Sequence, residues 1–137
     1  MNGIANVKFE GYSATELLEL PEEDFDAYVF CGEALVIDVG SANVLGQFSI
    51  DDGRLVLELA QIDGGGEGVL PAIGSLAQRV ARARGLAEVR WLVHAVNCAE
   101  PNLKLRRMLI RRGFEVDYIE GVGEVHHKDV KVDDLGT

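Results

Sequence analysis

The sequence predicts an α/β (α+β) fold in which one mixed, mostly antiparallel central sheet carries helices on both faces. Two changes of pattern along the chain support this prediction. Three strand patterns follow one another at 33–40, 44–50 and 55–62 with short turns between them, which is typical of an antiparallel meander. From Leu70 onwards a helix, a strand and a second helix follow, and this order predicts parallel neighbours within the same sheet.

The N-terminal part of the chain predicts one strand and two short helices. The segment "NVKFEGY" alternates apolar and polar residues, as a half-buried strand does. Ser13 lies three residues before Glu16, which is the spacing of a capping box at a helix start. Pro21 then divides residues 13–30 into two helical pieces, because proline interrupts a helix.

Turns and periodicity set the boundaries in the middle of the chain. The segments "SAN" and "DDGR" separate the three meander strands, the second as a hairpin turn. Apolar residues then recur at helical spacing, and these are Leu70, Ile73, Leu76, Ala77, Val80 and Ala81. Pro71 is compatible with a first helical turn, and Gly85 suits the C-terminal end of the helix.

The last part of the chain predicts a buried strand, a helix and a hairpin. "VRWLVHAVN" is the strand, and "PNLKLRRMLIRRGF" is a helix that Gly113 ends. "FEVDYIE" and "EVHHKDVKV" flank "GVG" and form the closing hairpin. His126 and His127 are adjacent in this strand, so their side chains point to opposite faces. The pair lacks further ligands nearby, and we predict no metal site.

Length and composition indicate a single domain, 1–137. Apolar residues make up 47% of the chain and charged residues 26%, and no apolar run approaches the roughly 20 residues of a membrane span. The first ten residues lack the charged start and apolar core of an export signal. Cys31 and Cys98 match no metal-binding spacing. We therefore expect a cytoplasmic protein with reduced thiols and no membrane partner.

Charge is distributed unevenly along the chain. Residues 1–67 carry fourteen acidic and two basic side chains, whereas residues 79–112 carry nine basic and two acidic ones. The net charge of −10 argues against nucleic acid as the main partner. The acidic half suits a cationic ligand. The basic half is either a region that binds phosphate or a pair of solvated helix faces.

Two motifs give the chain a family resemblance. "QIDGGGEG" leads from the third meander strand into a helix, and "NLKLRRMLIRRGF" runs from Asn102 to a Gly-Phe pair at 113–114. With this order of elements, the chain resembles the GNAT family of acetyl-coenzyme A-dependent N-acyltransferases. Members of that family carry a Q/R-x-x-G-x-G/A loop before the first of these helices and an Asn at the start of the second. The resemblance implies that acetyl-CoA, or another acyl-CoA, is the co-substrate.

The glycine loop fits the family motif in two registers. Gln61, Gly64 and Gly66 match it letter by letter but leave one extra turn before Gly85. Counting back from Gly85 at the usual helix length places the paired positions at Gly66 and Gly68, and we favour this register. The alternative is a glycine-rich turn without a ligand. Backbone N–H groups at a helix start suit a pyrophosphate because they lack partners within the helix. The resemblance implies that coenzyme A contacts Gly64, Gly66, Gly68, Val69 and Asn102.

Glu58 is the candidate catalytic residue. It stands among apolar residues in "LVLELAQ", where family members often place a glutamate, and a carboxylate can accept the proton of an ammonium group. The alternative is a Glu58 side chain that faces solvent on an alternating strand. For His94, in a buried strand, a satisfied core histidine is the simpler interpretation. In the family a Tyr often protonates the departing thiolate, and Leu109 occupies its position here, where leucine cannot donate a proton.

These observations predict an N-acyltransferase that moves an acyl group from acyl-CoA directly to a small, cationic amine. The main alternative is a catalytically degenerate GNAT-like module for binding or interaction, which Leu109 favours. A further alternative is a structural homodimer without a ligand, in which the closing hairpin pairs between two chains.

Overall fold

A computed structural model describes residues 6–63, 68–94, 102–121 and 123–132, with the backbone alone described at 102–105. The predicted cofactor residues Gly64 and Gly66 lie outside these ranges, as does Cys98. The elements in chain order are β1 (Val7–Phe9), β2 (Tyr12–Ser13), α1 (Ala14–Leu18), α2 (Glu22–Val29), β3 (Leu35–Val39), β4 (Ala42–Asp51), β5 (Arg54–Asp63), α3 (Val69–Ala83), β6 (Glu88–Val93), α4 (Asn102–Arg111), β7 (Glu115–Ile119) and β8 (Gly123–Lys131).

Eight strands form one sheet in the order β2–β1–β3–β4–β5–β6–β8–β7. Among the strand pairs that the described residues form, β5–β6 is parallel and the others are antiparallel. The expected mixed, mostly antiparallel sheet with helices is therefore confirmed. No helix in the described part of the chain is long and apolar enough to cross a membrane.

Several local signals in the sequence act as expected. The Ser13 N–H donates to Glu16 Oε1 at 2.9 Å, and the Glu16 N–H donates to Ser13 Oγ at 3.1 Å, which completes the capping box of α1. Asp52 and Gly53 have φ angles of 53° and 76°, so the turn between β4 and β5 uses two left-handed residues, as tight hairpins prefer.

The first predicted strand differs from the structure. Residues 6–12 were expected to form one strand, but Gly11 has a φ of 88° and turns the chain back on itself. The result is a small hairpin of β1 and β2, in which Lys8 lies opposite Ser13.

The core lies on one face of the sheet. Leu55, Leu57 and Leu59 alternate along β5 and are fully buried there. Helix α3 covers them closely because Gly74 has no side chain: a Cβ at this position would lie 3.3 Å from the Trp91 ring.

The described contacts of α2, α3 and α4 lie on this same face. Arg84, at the end of α3, forms ion pairs with Glu22 and Asp26 of α2. The crossovers β5–α3–β6 and β6–α4–β7 both advance in the same direction across the sheet, and right-handed crossovers of this kind place their helices on one face.

Candidate functional site

The site is built around the parallel strands β5 and β6. They pair from Arg54 opposite Glu88 to Leu59 opposite Val93, and the His94 N–H then donates to the Leu59 carbonyl at 2.9 Å. The expected parallel pairing of residues 55–61 with residues 89–96 is thus confirmed as far as the described residues extend.

A bulge in β5 changes which side chains share a face. On β4, Leu45 and Gly46 are adjacent, but their partners on β5 are Gln61 and Leu59, which leaves Ala60 as an extra residue. Since the alternation shifts by one at the bulge, Gln61 and Asp63 lie on the same face as Glu58. This face is opposite to the one that the helices cover.

Glu58 and His94 meet on this face. Glu58 Oε2 lies 2.7 Å from His94 Nε2. The histidine is 7% exposed, whereas the glutamate side chain is 37% exposed. The pair therefore has one buried member that fixes its position and one member that a substrate can reach.

The chemistry of the two groups fixes the direction of this hydrogen bond when Glu58 is ionised. A carboxylate only accepts hydrogen bonds, so His94 Nε2 must carry the proton and donate it. A charge-assisted bond of this kind holds the carboxylate in one orientation while leaving its other oxygen to accept a proton. The arrangement suits a general base.

Sequence analysis singled out both residues but did not pair them. Glu58 is directly opposite Leu92, and His94 is the next residue along β6 on that face. The contact therefore depends on the register of two parallel strands, which are 36 residues apart in the chain. One feature of the sequence could have predicted this contact. Each of the two neighbouring strands carries one ionisable residue, and both residues lie on the same face. His94 is buried and has a hydrogen-bond partner, which agrees with its interpretation as a satisfied core histidine.

Asp63, at the end of β5, carries a second polar feature of this face that sequence analysis missed. Gln61 Nε2 donates to Asp63 Oδ2 at 3.0 Å. The other carboxylate oxygen, Oδ1, is buried and has no hydrogen-bond partner in the described part of the chain. A buried carboxylate oxygen without a partner favours a bound cation or donor.

The start of α3 is the described part of the predicted phosphate site. Gly68 is the N-cap residue and has an ordinary φ of −78°, with no side-chain hydrogen bond at the cap. A Cβ placed on Gly68 would meet no atom of the described residues within 4 Å. Val69, the first residue of α3, is buried. Within the described part of the chain, the backbone at this helix start is therefore open on the side to which a side chain at position 68 would point.

A basic cleft of about 570 Å³ extends along α3 on the helix-covered face. It begins beside Leu70 and Pro71 in the first turn, and Trp91 forms part of its wall. Its basic side chains are Arg79, Arg82, Arg112, Lys128 and Lys131. The cleft lies on the face of the sheet opposite to Glu58.

Helix α4 begins at Asn102, as expected, although the Asn102 side chain lies outside the described part. Leu109 is fully buried in the core. The helix ends at Arg111. Gly113 follows with a φ of 93°, and the Phe114 N–H donates to the Leu109 carbonyl at 3.0 Å. Leu109 is therefore a packing residue, and this position supplies no acid.

The two adjacent histidines of β8 lie on opposite faces, as predicted. His126 is buried beneath the helices, while His127 Nε2 lies 3.6 Å from Asp117 Oδ2. Among the described residues, no cluster of three or more His, Cys, Asp or Glu side chains could hold a metal ion.

No model of a known protein family and no curated protein matches the chain. Several solved structures are similar to it, among them two acetyltransferases. Nourseothricin acetyltransferase has 22% identity and a TM-score of 0.43 over 73% of this chain, which spans 65% of that protein. A GNAT-family acetyltransferase from Listeria monocytogenes has 13% identity and a TM-score of 0.41 over 88% of this chain and 78% of its own. Both of those proteins are acetyltransferases. A likeness of this degree does not assign a function, so the proposed function rests on the residues of this chain.

Proposed function

We propose that this chain is an acyl-CoA-dependent N-acyltransferase, with acetyl-CoA as the co-substrate and a small cationic amine as the acceptor. The observation that carries the proposal is the Glu58–His94 pair at the end of the parallel strands β5 and β6. The pair presents a positioned carboxylate that a substrate can reach.

Two features of the helix-covered face support an acyl-CoA. The open backbone at Gly68 lets a pyrophosphate approach the first N–H groups of α3, which lack partners within the helix. The basic cleft continues from there with side chains such as Arg79 and Lys128. A positive cleft beside a helix start attracts a ligand with several phosphates.

The reaction needs a base because an amine acceptor arrives protonated. Glu58 accepts a proton from the ammonium group, directly or through water, and the free amine attacks the thioester carbonyl. The N–C bond forms and the C–S bond breaks, so coenzyme A leaves as a thiolate, and the nitrogen of the new amide loses its second proton to solvent. Leu109 cannot protonate it, and the thiolate takes its proton from solvent. Positioning the two substrates then supplies a large share of the rate.

Asp63 supports a cationic acceptor. Its buried Oδ1, which has no hydrogen-bond partner among the described residues, lies on the same face as Glu58, so an acceptor with a second ammonium group would find an anion farther along β5. Coulombic attraction inside a partly buried site is stronger than in bulk water. Amines with two charges should therefore bind better than amines with one.

Leu109 favours the second candidate, a GNAT-like module that binds an acyl-CoA without transferring the group. Its side chain is fully buried, so no proton donor replaces the family Tyr at this position. The two functions differ in whether thiol release accompanies binding.

Two variants and one pair of assays test the proposal. A thermal-shift titration with acetyl-CoA measures binding, and thiol release in the presence of diamines measures transfer. Gly68→Val should abolish the acetyl-CoA shift without unfolding the protein, because a Cβ there meets no atom of the described residues and the φ of Gly68 is ordinary. Glu58→Gln should leave the shift intact and lower thiol release by about 100-fold or more, the usual share of a general base.

Each result leads to a different conclusion about the function. Binding without any thiol release in the parent protein identifies the binding module. Binding that survives in Gly68→Val removes the assignment of the phosphates to the start of α3, and full turnover in Glu58→Gln removes the assigned base.

A further inference from the structure

A second cleft lies between α4 and the closing hairpin of β7 and β8. It has a volume of about 410 Å³ and is lined by Arg106, Arg107, Ile110, Arg111, Val116 and His126. It shares no lining residue with the basic cleft along α3. The proposed acyl transfer makes no use of it.

His126 forms the floor of this second cleft. The residue is 1% exposed, and neither Nδ1 nor Nε2 has a hydrogen-bond partner in the part of the chain that the structure describes. Buried polar atoms in proteins are nearly always hydrogen-bonded, because an unmade bond is costly. The ring therefore lacks a partner that a ligand in the cleft would supply.

The electrostatics around His126 favour an anion. Burial lowers the pKa of His126, and the positive charge of Arg106 lowers it further. His127 acts in the same direction, whereas Glu124 opposes it. The ring is thus neutral near pH 7, with one nitrogen that donates and one that accepts. A bound anion would raise the pKa of His126 and so oppose the effect of Arg106.

Arg107 and Arg111 strengthen this case. They are four residues apart on α4, so their like charges face the same side of the helix and repel each other. Among the described residues, neither they nor Arg106 forms an ion pair. An anion between the guanidinium groups would relieve this repulsion, and guanidinium geometry suits the paired oxygens of a phosphate.

The rim of the cleft also has an apolar part. Ile110 is 52% exposed and Val116 is 43% exposed, and both line the cleft. An apolar surface beside a cluster of arginines fits a molecule with an anionic group and an organic body. The volume is within the range of small-ligand pockets.

We propose that this second cleft binds a small organic phosphate monoester. The phosphate lies between the arginine side chains and accepts a hydrogen bond from the His126 ring, and the organic part covers Ile110 and Val116. A dianion matches the excess positive charge better than a single carboxylate does. This site does not depend on the proposed acyl transfer.

Phenyl phosphate is a suitable probe, with inorganic phosphate and benzoate as comparisons. Nuclear magnetic resonance of the ¹⁵N-labelled His126 ring reports binding directly. We expect phenyl phosphate to shift the ring signals and raise the pKa of His126, and to bind more tightly than either comparison ligand. Equal binding by benzoate overturns the phosphate assignment.

Variants separate this site from the basic cleft. Arg107 and Arg111 are exposed, so the double variant Arg107→Ala/Arg111→Ala should fold and bind phenyl phosphate at least about tenfold more weakly, since each lost charge-assisted bond is worth about that much. Arg79→Ala is the matched control: it removes an exposed arginine of α3 and should leave this affinity unchanged.

His126→Phe gives the decisive contrast. If the proposal holds, this variant loses phenyl phosphate binding, which calorimetric titration measures because the reporting ring is absent. A variant that becomes more stable and keeps the parent affinity identifies His126 as an unsatisfied core group and rejects the site. Binding that persists in the double arginine variant, or that falls equally in Arg79→Ala, rejects it as well.

Discussion

Breaking the Glu58–His94 contact should lower the free energy of unfolding by an amount that a double-mutant cycle can separate from the loss of packing. A hydrogen bond to a charged group is worth about 1.5–3 kcal/mol when it is shielded from water. His94 is buried, but the Glu58 side chain is 37% exposed. Because solvent screens an exposed charge, the contribution of this hydrogen bond should be lower, closer to the roughly 0.2–1 kcal/mol of surface ion pairs. We therefore expect a coupling free energy of about 1–1.5 kcal/mol between Glu58→Ala and His94→Ala.

The assay is urea unfolding of the parent, the two single variants and the double variant. Linear extrapolation gives each free energy of unfolding, and the cycle cancels the loss of packing at either position. Glu58→Ala with Arg90→Ala is the control cycle, because Arg90 contacts Asp129 instead, and these two changes should be additive. A coupling energy below about 0.3 kcal/mol for the Glu58–His94 cycle would show that the pair is not formed in solution.

Three further predictions concern other groups. Asp63→Asn should raise KM about tenfold for diamine acceptors and leave KM for monoamines unchanged, because only diamines lose an ion pair. Steady-state thiol release measures both KM values. An equal rise for monoamines would contradict the role of Asp63 in binding a second ammonium group. Asp129 has a pKa lowered by its hydrogen bond from Arg90, so the stabilisation is present at neutral pH and is lost as the pH falls below about 4. Arg90→Gln should therefore lower the free energy of unfolding by at most about 1 kcal/mol at pH 7, and a difference that persists at pH 3 argues against this cause. Because burial lowers the pKa of His126, the unfolded chain binds the proton more readily, and stability should fall as the pH drops below about 6.5; His126→Phe should remove part of that fall in urea titrations between pH 7 and pH 5.

Local signals in the sequence were sufficient for most element boundaries. The Ser13 and Glu16 pair starts α1, and Gly85 and Gly113 follow the ends of α3 and α4 with positive φ angles. Each of these signals acts over a few residues, so the sequence displays it directly. The hairpin at Gly11 was missed because one alternating pattern covers both of its strands.

The assembly of the candidate site required information that local patterns do not contain. Glu58 and His94 meet because of the register of β5 on β6, and Asp63 joins their face because of an extra residue at Ala60. The burial of His126 depends on which face α4 covers, and that follows from the direction of a crossover. Alternation alone showed that His126 and His127 differ, but not which of them is inside.

The bulge at Ala60 makes the pairing of β5 with β4 a determinant of its chemistry. Ile62 faces the core and Asp63 the polar face because the extra residue is left out of the ladder. If Ala60 paired with Leu45 instead, the residues after it would each move by one position, which would bring a carboxylate into the apolar interior and a large aliphatic side chain out to the polar face. Deleting Ala60 would restore regular pairing and leave both side chains on their present faces. Sequences descended from this one could therefore vary the side chain at position 60, or lose the position, without exchanging the two faces.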